Sequence, residues 1–253
     1  MFTLTEIRPP VTVPDAEYLR LLGYPKNRPL EGRARELADE AQKWFAENGR
    51  PWIRAQECSS LEWDGEKLRL AGMEISSRRF REALSTSKAH SVVLLTVSAG
   101  KECEEHAKKL WDEEKPDEYY FLESYGSAVV EQLVTLANGR ICGWADANQM
   151  AALPHFSPGY AGWNVTAQVP LWELFRREFA GGLPGELEVL ESGMLRPKKS
   201  QLAVVGLTRD LEKAGRLQSL IPCEQCPMSS CQYRRAPFKR YRPRLEEPDC
   251  EET

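Results

Sequence analysis

Three segments of this 253-residue chain carry residue types at spacings that could do chemistry. Near the C-terminus, Cys223-x-x-Cys226 is followed by Cys231. The pair sets two thiolates at chelating distance around one turn and the third lies close by, a donor set suited to metal. Zinc would ask for a fourth ligand, with Cys250 the nearest cysteine in sequence; an iron–sulfur cluster could accept three thiolates with one iron open; a metal-free cluster is the third option. The second segment is His155-Phe156-Ser157-Pro158-Gly159-Tyr160, continuing to Trp163. Pro158-Gly159 forms a tight turn with accessible backbone, and the aromatics beside it could hold a flat heterocycle by stacking. The plainer alternative is a proline turn with aromatics packed beneath it. The third segment, Leu190 to Ser200, links two strands. Glu191 and Ser192 there could face a cationic ligand and Lys198 and Lys199 an anionic one, or the whole could be a solvated connection.

Elements that would position these segments follow from periodicity. Asp15 can cap a short helix ending at Gly23, and Ala34, Leu37, Ala38, Ala41, Trp44 and Phe45 recur at helical spacing within 30–47. Residues 52–58 read as a strand, and Asp64-Gly65 marks a hairpin within 61–75. Ser76 to Ser85 reads as a short helix. Ser91 to Ser98 is apolar on both faces, as an interior strand would be. Helices are expected over 102–113 and 119–138, the latter with Gly126, Ser127 and Ala128 small enough to let another group approach. A loop over 139–160, a helix over 167–179 and strands over 186–191 and 201–207 complete the reading. This order suits an α+β fold with a largely antiparallel sheet better than regular βαβ alternation.

Composition bounds the rest. With 34 basic and 38 acidic residues the net charge is −4, which argues against a nucleic-acid partner despite the basic stretch Arg234-Arg235 to Arg244. That stretch could instead dock an acidic protein. A chain of this length can bury a core without a disulfide or metal. The apolar run Val92 to Val97 is too short to cross a bilayer, and the opening MFTLTEIRPP lacks a basic region followed by an apolar one, so no membrane association and a cytoplasmic location are expected.

Ser157-Pro158-Gly159-Tyr160-x-x-Trp163, with Gln168 and Leu174-Phe175 downstream, then Leu190-Glu191-Ser192-Gly193-Met194-x-x-Pro197-x-Lys199-Ser200, resembles the activation domain of cobalamin-dependent methionine synthase, and more closely the freestanding proteins of that family. Leu94 to Gly100 and Ser124 to Glu131 are similar to that family's strand and following helix. The likeness runs over roughly residues 15–207.

The resemblance implies a C-shaped α+β domain that binds S-adenosylmethionine in a groove and presents its methyl group to a cobalamin held by another module. On this reading Glu131, His155, Ser157, Pro158, Gly159, Tyr160, Glu191 and Ser192 line the ligand site, and catalysis is positioning rather than acid–base work. His155 stands where the family often has Arg, which would pair with the ligand carboxylate. The expected partner is a cobalamin-binding methionine synthase or other corrinoid protein, since the chain lacks an obvious D-x-H-x-x-G cobalamin motif; a flavodoxin or ferredoxin could supply electrons. Residues 1–215 would form the activation-like domain and 216–253 a Cys-rich basic tail holding zinc or an iron–sulfur centre on Cys223, Cys226 and Cys231. The alternative function is a metal-containing accessory or electron-transfer protein for a corrinoid protein, without methyl transfer.

Overall fold

Every residue of Ser91–Ser98 is buried, so this strand needs a neighbour on each side and a packed layer on each face. The computed structural model, which describes residues 1–25, 29–65, 67–160, 162–179 and 181–212, supplies both. In chain order the elements are β1 (Thr3–Ile7), α1 (Asp15–Leu21), α2 (Gly32–Asn48), β2 (Trp52–Cys58), β3 (Leu61–Asp64), β4 (Lys67–Leu70), β5 (Met73–Glu74), α3 (Arg78–Thr86) and β6 (Ser91–Ser98), followed by α4 (Lys101–Asp112), α5 (Pro116–Ala147), β7 (Ala151–Ala152), α6 (Gln168–Glu178), β8 (Glu188–Val189), β9 (Leu195–Arg196) and β10 (Ser200–Thr208).

The main sheet runs β1-β2-β6-β10-β7 with every pairing antiparallel, and it curls into a half-barrel flanked by helices. This is the expected α+β architecture. Alternation along the strands divides the apolar residues between two cores. Val93, Leu95, Val97, Ala203 and Val205 face one core with α5 as its spine, against which α1, α2 and α4 pack. Val92, Leu94, Leu202 and Val204 face the other, closed by α3, α6 and the β3–β5 hairpin. Each fully buried Val or Leu contributes roughly 1.5–3 kcal/mol, so the register is fixed from both sides.

Several expectations are corrected. Asp15 is the first helical residue, and Pro14 occupies the N-cap position without a side-chain cap. The helix expected to stop at Asn138 continues to Ala147 through Gly139 and Gly143. Its buried face, Leu133, Ala137, Ile141 and Ala145, keeps four-residue spacing across those glycines, and burial outweighs about 1 kcal/mol of propensity lost at each. The first nine residues of the expected 139–160 loop are therefore helix. Strand β1, for which the sequence reading has no counterpart, pairs with β2. The last part of the proposed 1–215 domain and the whole proposed tail, with Cys223, Cys226, Cys231 and Cys250, lie outside the described residues.

Candidate functional site

The segment after α5 runs antiparallel along the outer edge of β10. Ala151 and Ala152 pair with Thr208 and Leu207, the Leu153 amide donates to the Gly206 carbonyl at 2.8 Å, and Phe156 and Val204 exchange two backbone hydrogen bonds of 2.8 Å. The buried Ser157 hydroxyl donates to the Leu202 carbonyl and extends the attachment by one more rung. The chain then turns back. Pro158 and Gly159 are the central residues of a turn closed by the Tyr160 amide donating to the Ser157 carbonyl at 3.0 Å, with Gly159 at φ +94°. Proline followed by a glycine at positive φ suits a type II turn, and the sequence dictates it here.

This attachment sorts the aromatics. Trp163 is 4% exposed and stacks on Phe80 with ring centroids 5.6 Å apart, so it belongs to the second core and is not a stacking platform for a ligand. Tyr160 and His155 turn towards α5. Asn138 on α5 places its amide nitrogen 3.0 Å from His155 Nδ1, and His155 Nε2 lies 2.9 Å from the Tyr160 hydroxyl. If Nδ1 accepts from Asn138, the ring carries its proton on Nε2 and donates it to Tyr160 Oη. Gln201 Nε2 on β10 donates to the same oxygen at 3.1 Å. Helix, edge segment and central sheet are thus joined through one phenol.

Glu131 lies seven residues before Asn138 on the same face of α5, and Ser127 one turn earlier still. Lys199, two residues before Gln201 and immediately ahead of β10, donates from Nζ to Ser127 Oγ at 2.8 Å. The result is a polar strip between α5 and β10. Asn138, His155, Tyr160 and Gln201 close one end, Ser127 and Lys199 the other, and Glu131 lies between them along the helix. The outer side of the turn is open: a Cβ at Gly159 would meet only Val165 Cγ2, at 4.0 Å.

Of the residues singled out from sequence, Glu131, His155, Gly159 and Tyr160 fall in or beside this strip. Ser157 and Pro158 are buried and build the turn from beneath. Glu191 and Ser192 sit at the exposed tip of the β8–β9 hairpin, where Ser192 Oγ accepts from the Met194 amide at 3.4 Å, outside the hydrogen-bonded strip. The small patch on α5 is explained: a Cβ on Gly126 would lie 2.9 Å from Cys103 Sγ and 3.2 Å from Lys199 Cγ, so the glycine lets the thiol and the lysine stem cross the helix. Asn138 and Gln201 were not anticipated. Their signals are a polar residue seven positions from Glu131 on one helix, and the last polar residue before the apolar run of a central strand.

Among the described residues no group of three or more His, Cys, Asp or Glu is placed to hold a metal ion, and no helix is long and apolar enough to cross a membrane. Cys103 is sealed beneath α5, where burial first and the Glu123 charge second push its thiol up to about 12. A separate concavity of about 830 Å³, between α4, α6 and the 182–188 segment, shares no residue with the strip. Chemically, the strip offers donors, acceptors, the Glu131 carboxylate and the Lys199 ammonium, the latter ion-paired with Glu123 at 3.1 Å, beside an aromatic ring. That inventory suits holding a small polar ligand in a fixed orientation.

No protein-family model matches the chain, and no curated protein does. Among solved structures, the fold is similar to "Crystal Structure of the MetH Reactivation Domain bound to AdoHcy", with a TM-score of 0.51 and 14% sequence identity over 68% of this chain. The match spans 65% of that protein's chain. The architecture described above is therefore similar to that of the MetH reactivation domain, reached by a sequence that shares few of its residues.

Proposed function

We propose that this protein binds S-adenosylmethionine along the strip between α5 and β10 and presents its methyl group to a cobalamin carried by a partner protein. The observation that carries this reading is the network of Asn138, His155, Tyr160 and Gln201 beside an open glycine turn, built on the fold of a domain whose solved structure holds S-adenosylhomocysteine, the demethylated product of that ligand. Bound there, the ligand would supply a methyl group from its sulfonium to a cob(II)alamin that takes up one electron from an external reductant.

The residues present fit such a ligand. Gly159 leaves the outer side of its turn open for a flat heterocycle, with the Tyr160 ring next to it. Glu131 supplies an anion for an ammonium. His155 orients Tyr160 through Nε2 and is itself held by Asn138, so the ring is a positioning residue. Rigid placement matters here, because bringing two large reactants into line is mainly an entropic cost, and a preformed wall lowers it.

Calorimetry with S-adenosylmethionine tests the reading. The parent protein should bind, and Tyr160→Ala should bind at least tenfold more weakly while keeping its fold. In a mixture with a cob(II)alamin-loaded partner and a low-potential reductant, the parent should speed the appearance of methylcobalamin absorbance. No heat of binding at millimolar ligand would overturn the proposal.

A further inference from the structure

Helix α4 runs beside two hollows, neither of which shares a residue with the strip. The larger, of about 830 Å³, lies between α4 and α6, and its apolar lining includes Trp172, Phe179, Leu183 and Leu187. The smaller, of about 420 Å³, extends towards the C-terminal end of the helix and is lined by Trp111 and Tyr119. Glu104 and Lys108 line both, so the two form one groove along the helix. Trp111 protrudes at its end with 60% of its surface exposed, and its only ring contact is an edge-to-face one with Tyr119, centroids 5.2 Å apart. An indole left this far in water beside an apolar hollow is the kind of anchor that interfaces bury.

The charges on the same helix decide what can cover the groove. Lys101, Glu105, Lys108 and Asp112 are spaced by four, three and four residues and so share one face. Glu105, Lys108 and Asp112 are exposed, and none of them has a hydrogen bond or an ion pair among the described residues, whereas Lys101 meets Glu186. A uniformly acidic or uniformly basic partner would be repelled by two of these four charges. A second copy of α4 is different. Laid antiparallel about a two-fold axis level with residues 106 and 107, the face sets Lys101 against Asp112 and Glu105 against Lys108, and symmetry makes each pair twice. All four charges then meet their opposites. The same operation carries Trp111 of one copy to the level of Lys101 on the other, where the larger hollow lies.

We propose that the groove along α4 is a homodimer interface, in which two copies pair antiparallel through α4 and each seats its Trp111 in the larger hollow of the other. Desolvation of the indole supplies the affinity, and the ion pairs, individually weak at a surface, set the register. Ligand binding along the strip does not depend on this interface.

Sedimentation equilibrium of the full chain from about 1 to 100 μM tests the proposal, under reducing conditions so that thiols cannot link the copies. The parent should approach twice the mass of one chain. Trp111→Ser should weaken association roughly tenfold or more while its far-UV circular dichroism stays that of the parent. Glu105→Lys and Lys108→Glu should each weaken association too, because each sets like charges across the two-fold axis. The double variant, Glu105→Lys with Lys108→Glu, should restore it, because the exchanged charges again meet their opposites. A parent that stays monomeric throughout this range overturns the proposal and leaves the groove to another partner. A dimer indifferent to Trp111→Ser, or a double variant that associates no better than either single one, overturns the pairing through α4.

Discussion

On one side of β10 and the residue leading into it, Lys199 and Gln201 meet Ser127 and Tyr160 through hydrogen bonds of 2.8 and 3.1 Å; on the other, Leu202 and Val204 are sealed among Leu153, Phe156, Trp163 and Phe175. Successive residues of one strand thus serve opposite purposes. The segment 155–163 is divided in the same way, with His155 and Tyr160 towards α5 and Phe156 and Trp163 in the second core. The second core holds the segment in place so that the first face can be polar. Substitutions on the apolar face should therefore cost stability, and substitutions on the polar face should cost binding.

The largest effect expected is on the apolar face. Trp163→Ala should destabilise the protein by about 3–5 kcal/mol, read as a lower urea midpoint, since it empties a fully packed site against Phe80. Trp163→Phe should cost far less. It keeps the ring, and it removes an indole N–H that is buried without a partner among the described residues. If the alanine variant stays as stable as the parent, the division between the two faces is wrong.

Alkaline pH provides a second, smaller probe, beneath the polar face. The Cys103 thiol is raised from 9.0 to about 12 in the folded protein, so the unfolded chain loses this proton first. The contribution of Cys103 is fully present below pH 9 and is lost as pH climbs from 9 towards 12. Cys103→Ala should flatten the fall in melting temperature between those values. Burial also raises Tyr18, so part of the slope at higher pH should survive in the variant.

Tyr160→Phe should sharpen the contrast. It removes only the hydroxyl shared by His155 and Gln201, and should lower stability by about 1 kcal/mol while weakening S-adenosylmethionine binding severalfold. A loss of stability without any loss of binding would assign the network to folding alone. Cys226→Ser should have the smallest effect on either face: metal content should fall, with far-UV circular dichroism and ligand affinity unchanged. A parent protein purified anaerobically without stoichiometric metal would rule out the proposed metal centre.

The sequence was most legible where one physical signal dominated. Ser91–Ser98 reads as an interior strand because every position is apolar or small, and Asp64-Gly65 reads as a hairpin because few residues accept its geometry. The turn at Pro158-Gly159 was legible for the same reason. What stayed hidden depended on partners distant in sequence. Strand β1 exists because β2 offers it an edge. The end of α5 is set by burial of Ile141 and Ala145, against the local message of two glycines. Asn138 and Gln201 enter the site only because the first reaches Tyr160 through His155 and the second bonds its phenol directly, from positions 63 residues apart, and no local window contains that information. Trp163 stayed undecided for a related reason, because an aromatic beside a turn is equally suited to a core or a ligand, and its burial places it in the core.

Gly139 and Gly143 have a consequence beyond helix length. Both lie on the exposed side of α5, with nothing within 4 Å of where a Cβ would stand. Each lowers the local opening free energy of the helix by about 1 kcal/mol relative to alanine. Amide protons in this stretch should therefore exchange faster than those around Val129 and Leu133. Asn138, the anchor of His155, is the residue just before the first of these glycines. Any slow breathing of the helix end is thus wired to the imidazole and, through it, to Tyr160. Replacing both glycines with alanine should quiet that breathing without a steric clash, and hydrogen exchange at Tyr160 would slow along with the helix.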